Sequence, residues 1–178
     1  MKRTLSDVMK TPSLYSKEVM KHFKSPKNVG IIKDADGVGR VGNFQCGDIM
    51  ELYIKVKKNK KGKEIISDVK FQTFGCVVAL AVSSMLTEIA KDKTVEEALK
   101  ITNKDILKKS GPVPPIKVHC SFLASDALKE SIYSYLSKNK KPVPEELQKD
   151  HERIVSTLKQ VEERHKEFTE FEEKILEK

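Results

Sequence analysis

A chain of 178 residues has the length of one domain with a modest core, which leaves no room for two full domains. Hydrophobic residues are 38% and charged residues 34% of it, tryptophan is absent, and the longest apolar run, Cys76 to Val82, is far too short for a membrane span. The net charge of +8 is uneven: residues 141–178 hold eight Lys/Arg and eleven Asp/Glu, so the basic excess sits in the body. Few aromatics interleave with the lysines and no nucleic-acid motif is present, which favours a solvated basic face or one that docks an acidic protein over nucleic-acid binding.

The segment Met1 to Leu14 carries charges but no apolar stretch of signal-peptide length, so it is expected to be an N-terminal arm of a cytoplasmic protein. In a reducing compartment, an odd count of three cysteines points to free thiols, metal ligands or transient redox chemistry instead of structural disulfides.

From Tyr15 to Lys24, the placement of Val19, Met20 and Phe23 predicts a short helix with Ser16 as its N-cap, stopped by Ser25-Pro26. The stretch from Gly30 to Gly42 holds four glycines and reads as a turn-rich entry into a sheet. Alternation begins at Ile49 and continues through Val56, predicting a strand with one polar face; Glu64 to Phe74 is the return strand, and Lys57 to Lys63 the hairpin turn between them. Lysines 55, 57, 58, 60, 61 and 63 crowd this hairpin, either as a charged edge that discourages strand addition or as a docking patch.

Val77 to Lys91 is too long for a strand and predicts a buried helix. Thr94 and Glu97 form a capping-box pattern that opens another, and Asn103 to Gly111 is a further helical segment. Gly111 to Pro115 cannot be helical and is expected as a stiff surface loop. A helix then begins at Cys120 and runs to about Lys138, burying Leu123, Ala127, Leu128, Ile132, Tyr135 and Leu136. Past Pro144, an independent charged helix is expected. Leu147, His151, Ile154, Leu158, Val161, His165 and Phe168 follow one another in steps of four and three, a heptad seam that asks for a partner helix before the register shifts at Phe171 and Ile175. The two histidines on it read as packing residues.

The three cysteines lie in three separated stretches: Gln45-Cys46-Gly47-Asp48, Phe74-Gly75-Cys76 and Pro114 to Ser121, the last including Lys117, His119 and Cys120. Cys76 and Cys120 stand at predicted helix starts, where free amides and the helix dipole favour thiolates, and Cys46 lies between two glycines in backbone able to bend around a metal. No CxxC pair of the zinc-ribbon type is present, yet the adjacent His119-Cys120 and the Cys46-x-Asp48 pair suit iron–sulfur or zinc ligation. Buried structural cysteines are the alternative.

Four ordered blocks carry a resemblance to a known family: Tyr15-Ser16-Lys17-Glu18-Val19 with Pro26 to Gly30, Cys46-Gly47-Asp48-Ile49-Met50, Phe74-Gly75-Cys76, and Pro114-Pro115-Ile116-Lys117-Val118-His119-Cys120-Ser121. Over about Tyr15 to Leu136 the chain resembles the IscU family of iron–sulfur cluster assembly scaffolds and the N-terminal domain of NifU. The resemblance implies an α+β fold, a small, mostly antiparallel three-stranded sheet packed with helices, to which the long C-terminal amphipathic helix is added. It divides the chain into an arm (residues 1–14), a scaffold domain (15–138) and a linker with its helix (139–178).

The resemblance also implies that Cys46, Asp48, Cys76, His119 and Cys120 are the iron and cluster ligands, that the cysteines accept persulfide sulfur, and that Lys117 steadies thiolates or persulfides. The cargo would be a [2Fe-2S] cluster, with zinc as an alternative occupant. Its partners would be a cysteine desulfurase, acceptor apoproteins such as ferredoxin, and an Hsp70-type chaperone at the Val113 to Lys117 loop; the heptad seam of the C-terminal helix, which belongs to no part of the family core, adds a second copy of the chain. Val77 departs from the glycine found in many relatives, and Val113 and Ile116 replace Leu and Val in the chaperone segment. A zinc-dependent sulfur acceptor of the SufU type is a competing reading, disfavoured by His119 and by the compact spacing between Cys76 and Cys120. A structural zinc adaptor is the third.

Overall fold

The computed structural model describes residues 14–176. The expected N-terminal arm falls outside them except for Leu14, and so do the side chains of Phe168, Phe171 and Ile175.

Helix α1, Lys17–Lys24, is opened by the Ser16 hydroxyl accepting from the Val19 amide. Three antiparallel strands follow, β1 Gly37–Gly42, β2 Ile49–Lys58 and β3 Glu64–Phe74, in the spatial order β1-β2-β3. Pairing of Val41 with Met50, and of Leu52 with Phe71, points Met50, Leu52, Ile54, Val69 and Phe71 to one face, all of them fully buried. The opposite face carries Arg40, Glu51, Lys55 and Lys70 and remains polar, the usual economy of an antiparallel sheet.

The strand β1 is the element that the glycines disguise. A Cβ on Gly37 would stand 2.1 Å from the Ser131 carbonyl oxygen, and one on Gly39 2.3 Å from that of Ala127. Glycine here exchanges side-chain packing for direct approach of a helix backbone to the strand.

Two helices cover the buried face. Helix α2, Val77–Ala90, brings Val78, Ala79, Val82 and Leu86; helix α5, His119–Lys138, brings Leu123, Ala127, Leu128 and Ile132. Between them lie α3, Val95–Ala98, opened by a capping box of Thr94 and Glu97, and α4, Asn103–Ser110, whose box pairs Thr102 with Asp105. Residues 111–114 have no regular structure, and Pro115–Lys117 form a 3₁₀ turn.

The last helix, α6, Glu145–Leu176, corrects one expectation: over its described residues it does not stand apart from the body. Running antiparallel to α5, it buries Leu147, Ile154 and Val161, heptad neighbours that are 4%, 3% and 0% exposed, against its own chain. Arg153 grips Asp126 with two hydrogen bonds of 2.9 Å, Lys129 meets Asp150 at 2.6 Å, and His151 stacks on Tyr133 while bonding Glu130 at 2.9 Å. A heptad stripe reports that a helix has a partner. It does not report that the partner lies in the same chain.

Candidate metal centre

Antiparallel pairing places the β1–β2 loop and the end of β3 at the same end of the sheet, since Gly42 pairs with Ile49 and Ile49 with Phe74. The hairpin with its lysines therefore points the other way. Into the near end come Cys46 and Asp48 from the loop, Cys76 from the β3–α2 junction, and His119 and Cys120 from the first turn of α5.

The five side chains that residue type and the resemblance single out meet there. Cys46, His119 and Cys120 bring their ligand atoms within 4.8 Å of one another, and so do Asp48, Cys76 and Cys120. Cys120 belongs to both triads. The sulfurs of Cys76 and Cys120 are 3.6 Å apart, and Cys120 Sγ is 3.9 Å from Asp48 Oδ2. These cysteines are free thiols. Gly75 makes room for the carboxylate: a Cβ there would press on Asp48 Cγ and Oδ2 at 3.0 Å.

Lys117 lies in the 3₁₀ turn ahead of His119, and among the described residues its ammonium has no hydrogen-bond or ion-pair partner. His119 Nε2 is buried and likewise lacks a hydrogen-bond partner. A buried imidazole nitrogen left unsatisfied is costly, and coordination of a cation is one of the few ways to use it.

The thiols differ in acidity. Cys76 is the N-cap of α2; a hydrogen bond from Cys120 and the backbone amides of Ala79 and Val78 lower it to about 5. Burial pushes Cys46 up to about 11. The neighbouring sulfur of Cys76 and burial together push Cys120 up. The helix-start rule thus holds for Cys76 alone, because two sulfurs in contact cannot both ionise without a cation between them.

Sequence reasoning missed the residues that hold the loop. The Asn43 side-chain oxygen accepts from the amide of Gln45 at 2.9 Å, an Asx turn legible in principle from Asn43 and the glycine that follows the cysteine. Arg164, from α6, donates to the Phe44 carbonyl at 2.7 Å, a contact across 120 residues that no local signal announces. Beside His119 an open cleft of about 940 Å³ runs between the loop, α5 and α6, with Phe44, Phe122, Lys129 and Thr157 among its walls.

A three-stranded α+β fold with three thiols, a carboxylate and an imidazole gathered at one end defines a protein with a thiol-rich candidate metal centre. The model of the NifU-like N-terminal domain matches residues 14–142, and the chain belongs to that family. It is 56% identical over 128 residues to the iron-sulfur cluster assembly scaffold protein IscU 1 of Archaeoglobus fulgidus, covering 72% of this chain and 80% of that protein. The corresponding IscU of Aquifex aeolicus is 48% identical over 124 residues, 70% of this chain and 77% of that one. In fold it is similar to the crystal structure of a nitrogen-fixing NifU-like protein (N-terminal) from Brucella abortus, with a TM-score of 0.56 at 19% identity over 70% of this chain and 96% of the other. Helix α6 begins just beyond the matched residues.

Proposed function

We propose that the protein is a scaffold on which [2Fe-2S] clusters are assembled in the cytoplasm and from which they pass to acceptor apoproteins. The observation that carries this reading is the pair of donor triads sharing Cys120, with His119 Nε2 buried and unpartnered beside them. A [2Fe-2S] cluster takes about four protein ligands, and five donors of graded softness are at hand. The three thiolates would hold iron firmly. Asp48 and His119 would alternate as the harder ligand, leaving the cargo exchangeable.

Sulfur would arrive from a cysteine desulfurase. A thiolate of this chain attacks the outer sulfur of the donor's persulfide, the donor's S–S bond breaks, and the donor cysteine leaves as a thiolate; turning each transferred sulfur into sulfide then takes two electrons from an external reductant. Cys76, as the most acidic thiol, suits the attack, and Lys117 would steady the anionic sulfur. The surface turn with Ile116, 76% exposed, offers an Hsp70-type chaperone an apolar anchor. The scaffold acts as a carrier, with no turnover of its own beyond sulfur transfer.

The test is anaerobic reconstitution with ferrous iron, cysteine and a desulfurase, followed by visible absorption and transfer to apo-ferredoxin. A transferable chromophore is expected. The same donors suit zinc, and a zinc ion that iron and sulfide cannot displace, with no transferable chromophore, would replace this reading with that of a zinc-dependent sulfur acceptor.

A further inference from the structure

Helix α6 begins beyond the family-matched residues, yet past its midpoint, at Arg164 and His165, it returns to the loop that carries Cys46. It is anchored one turn earlier. Val161 is fully buried, and Leu158 and Val161 lie so close to Gly42 that a Cβ there would meet them at 3.2 Å; Glu162 bonds Arg40 at 3.0 Å. The next turn presents Arg164. Its Nη1 donates to the Phe44 carbonyl at 2.7 Å, and its guanidinium carbon is 4.9 Å from the centre of the Phe44 ring. Its Nη2 would be 2.9 Å from a Cβ on Gly47, and His165 Nε2 3.2 Å from it. Gly47, at φ +73, is thus required twice over, for its left-handed backbone and for the closeness of the helix.

These contacts bracket Cys46. Arg164 holds the residue two positions before it and approaches the residue directly after it. The loop is also bonded within itself, from the Asn43 amide to the Asp48 carbonyl at 2.9 Å and from the Gly47 amide to the Asn43 carbonyl at 2.8 Å. Those bonds set its shape. They do not tie its outer side to the body, where a loop moves most readily. A ligand must be held to about 0.5 Å to keep its place in a coordination shell, so a brace on the loop acts directly on the shell.

We propose that Arg164 is a positioning residue for Cys46: by clamping Phe44 and Gly47 it keeps the Cys46 sulfur within reach of His119 and Cys120, and so sets how firmly the centre retains its metal. The arginine is suited to this in ways a lysine is not. One nitrogen bonds the carbonyl while the flat guanidinium lies against the aromatic ring and the second nitrogen reaches over Gly47. The inference deepens the function proposed above, because it takes the cysteine-rich centre as the place where metal is bound.

The test compares the full-length wild type with R164A and R164K. In the metal-free proteins, iodoacetamide labelling followed by peptide mass spectrometry should show Cys46 of R164A modified several-fold faster than in wild type, with Cys76 and Cys120 unchanged. With Co2+ alone as probe, R164A should lose about a third of the sulfur-to-cobalt charge-transfer intensity, one thiolate of three. R164K, which keeps the charge and one donor, should recover part of both effects. Equal Cys46 labelling in R164A and wild type would overturn the proposal, as would a rise at all three cysteines together with a lower melting temperature. If wild type itself gives no sulfur-to-cobalt bands, the metal-binding reading fails, and the labelling comparison still decides whether Arg164 positions Cys46.

Discussion

Cys76 and Cys120, 44 residues apart in the chain, bring their sulfurs to 3.6 Å without a bond between them, and Asp48 stands 3.9 Å from the second sulfur. Three groups able to carry negative charge therefore share one small space. Without a cation the centre holds its charge down by keeping a proton on Cys120, which donates to the Cys76 thiolate. A bound cation would displace that proton, so metal binding and proton release are one event.

The order of thiol reactivity follows. With Cys76 lowered to about 5 and Cys46 raised to about 11, only the former is largely thiolate at neutral pH. Limiting iodoacetamide at pH 7 should label Cys76 before Cys46, as read by peptide mass spectrometry. Labelling of Cys76 should hardly change from pH 7 to 9, while that of Cys46 climbs about tenfold per pH unit. The reverse order would show that Cys120 does not hold Cys76 as a thiolate.

Asp48 should make the centre leaky. A buried carboxylate is a harder donor than a thiolate, and iron already bound to sulfide prefers the softer set. Replacing Asp48 by alanine removes the weak ligand and the repulsion on Cys120 together. D48A is expected to assemble a cluster that transfers to apo-ferredoxin several-fold more slowly than wild type, followed by absorption of the acceptor. Transfer at the wild-type rate would mean that Asp48 does not tune release.

Much of this architecture is legible from local chemistry. The return strand read after the hairpin turn, Glu64 to Phe74, is β3 to the residue, and Thr94 with Glu97 caps α3 as the pattern requires. The sequence hides β1, since Gly37 and Gly39 give no apolar alternation and their role exists only against the backbone of α5. It likewise announces that Leu147, Ile154 and Val161 need cover without saying what covers them. In the centre, residue type marks the three cysteines, and the nearness in sequence of Asp48 to Cys46 and of His119 to Cys120 marks the other two candidate donors. The unequal acidity of the thiols depends on a sulfur–sulfur contact made by the fold, and no spacing encodes it.

Helix α6 belongs to the folded body, and stability measurements should register it. Ile154 is 3% exposed and lies in the same buried cluster as Leu128 and Ile132, whereas its neighbour Val155 is 46% exposed. Ile154→Ala should cost about 2–5 kcal/mol, a loss of burial plus a cavity. Val155→Ala should stay within about 0.5 kcal/mol. Urea midpoints of the two variants test this. Equal, small effects would return α6 to the status of an independent appendage.

A second site of pH dependence lies away from the cysteines. His22, 4% exposed, sits between α1 and α2 with Nδ1 at 2.8 Å from Ser84 Oγ and Nε2 at 3.8 Å from Glu88. Ser84 Oγ also accepts from the Lys27 amide at 2.8 Å, so the imidazole is one member of a network that joins α1 and its following turn to α2. Burial lowers the His22 pKa below 6.5, and Glu88 only partly opposes this. The unfolded chain then binds more protons than the native one as pH falls through the ordinary imidazole range. The contribution of His22 is complete above pH 6.5 and declines below it. The urea midpoint should drop between pH 7.5 and 5.5, and His22→Gln, which keeps a neutral hydrogen-bonding side chain, should flatten that slope while lowering the midpoint at pH 7.5. An unchanged slope in the variant would assign the pH dependence to other groups.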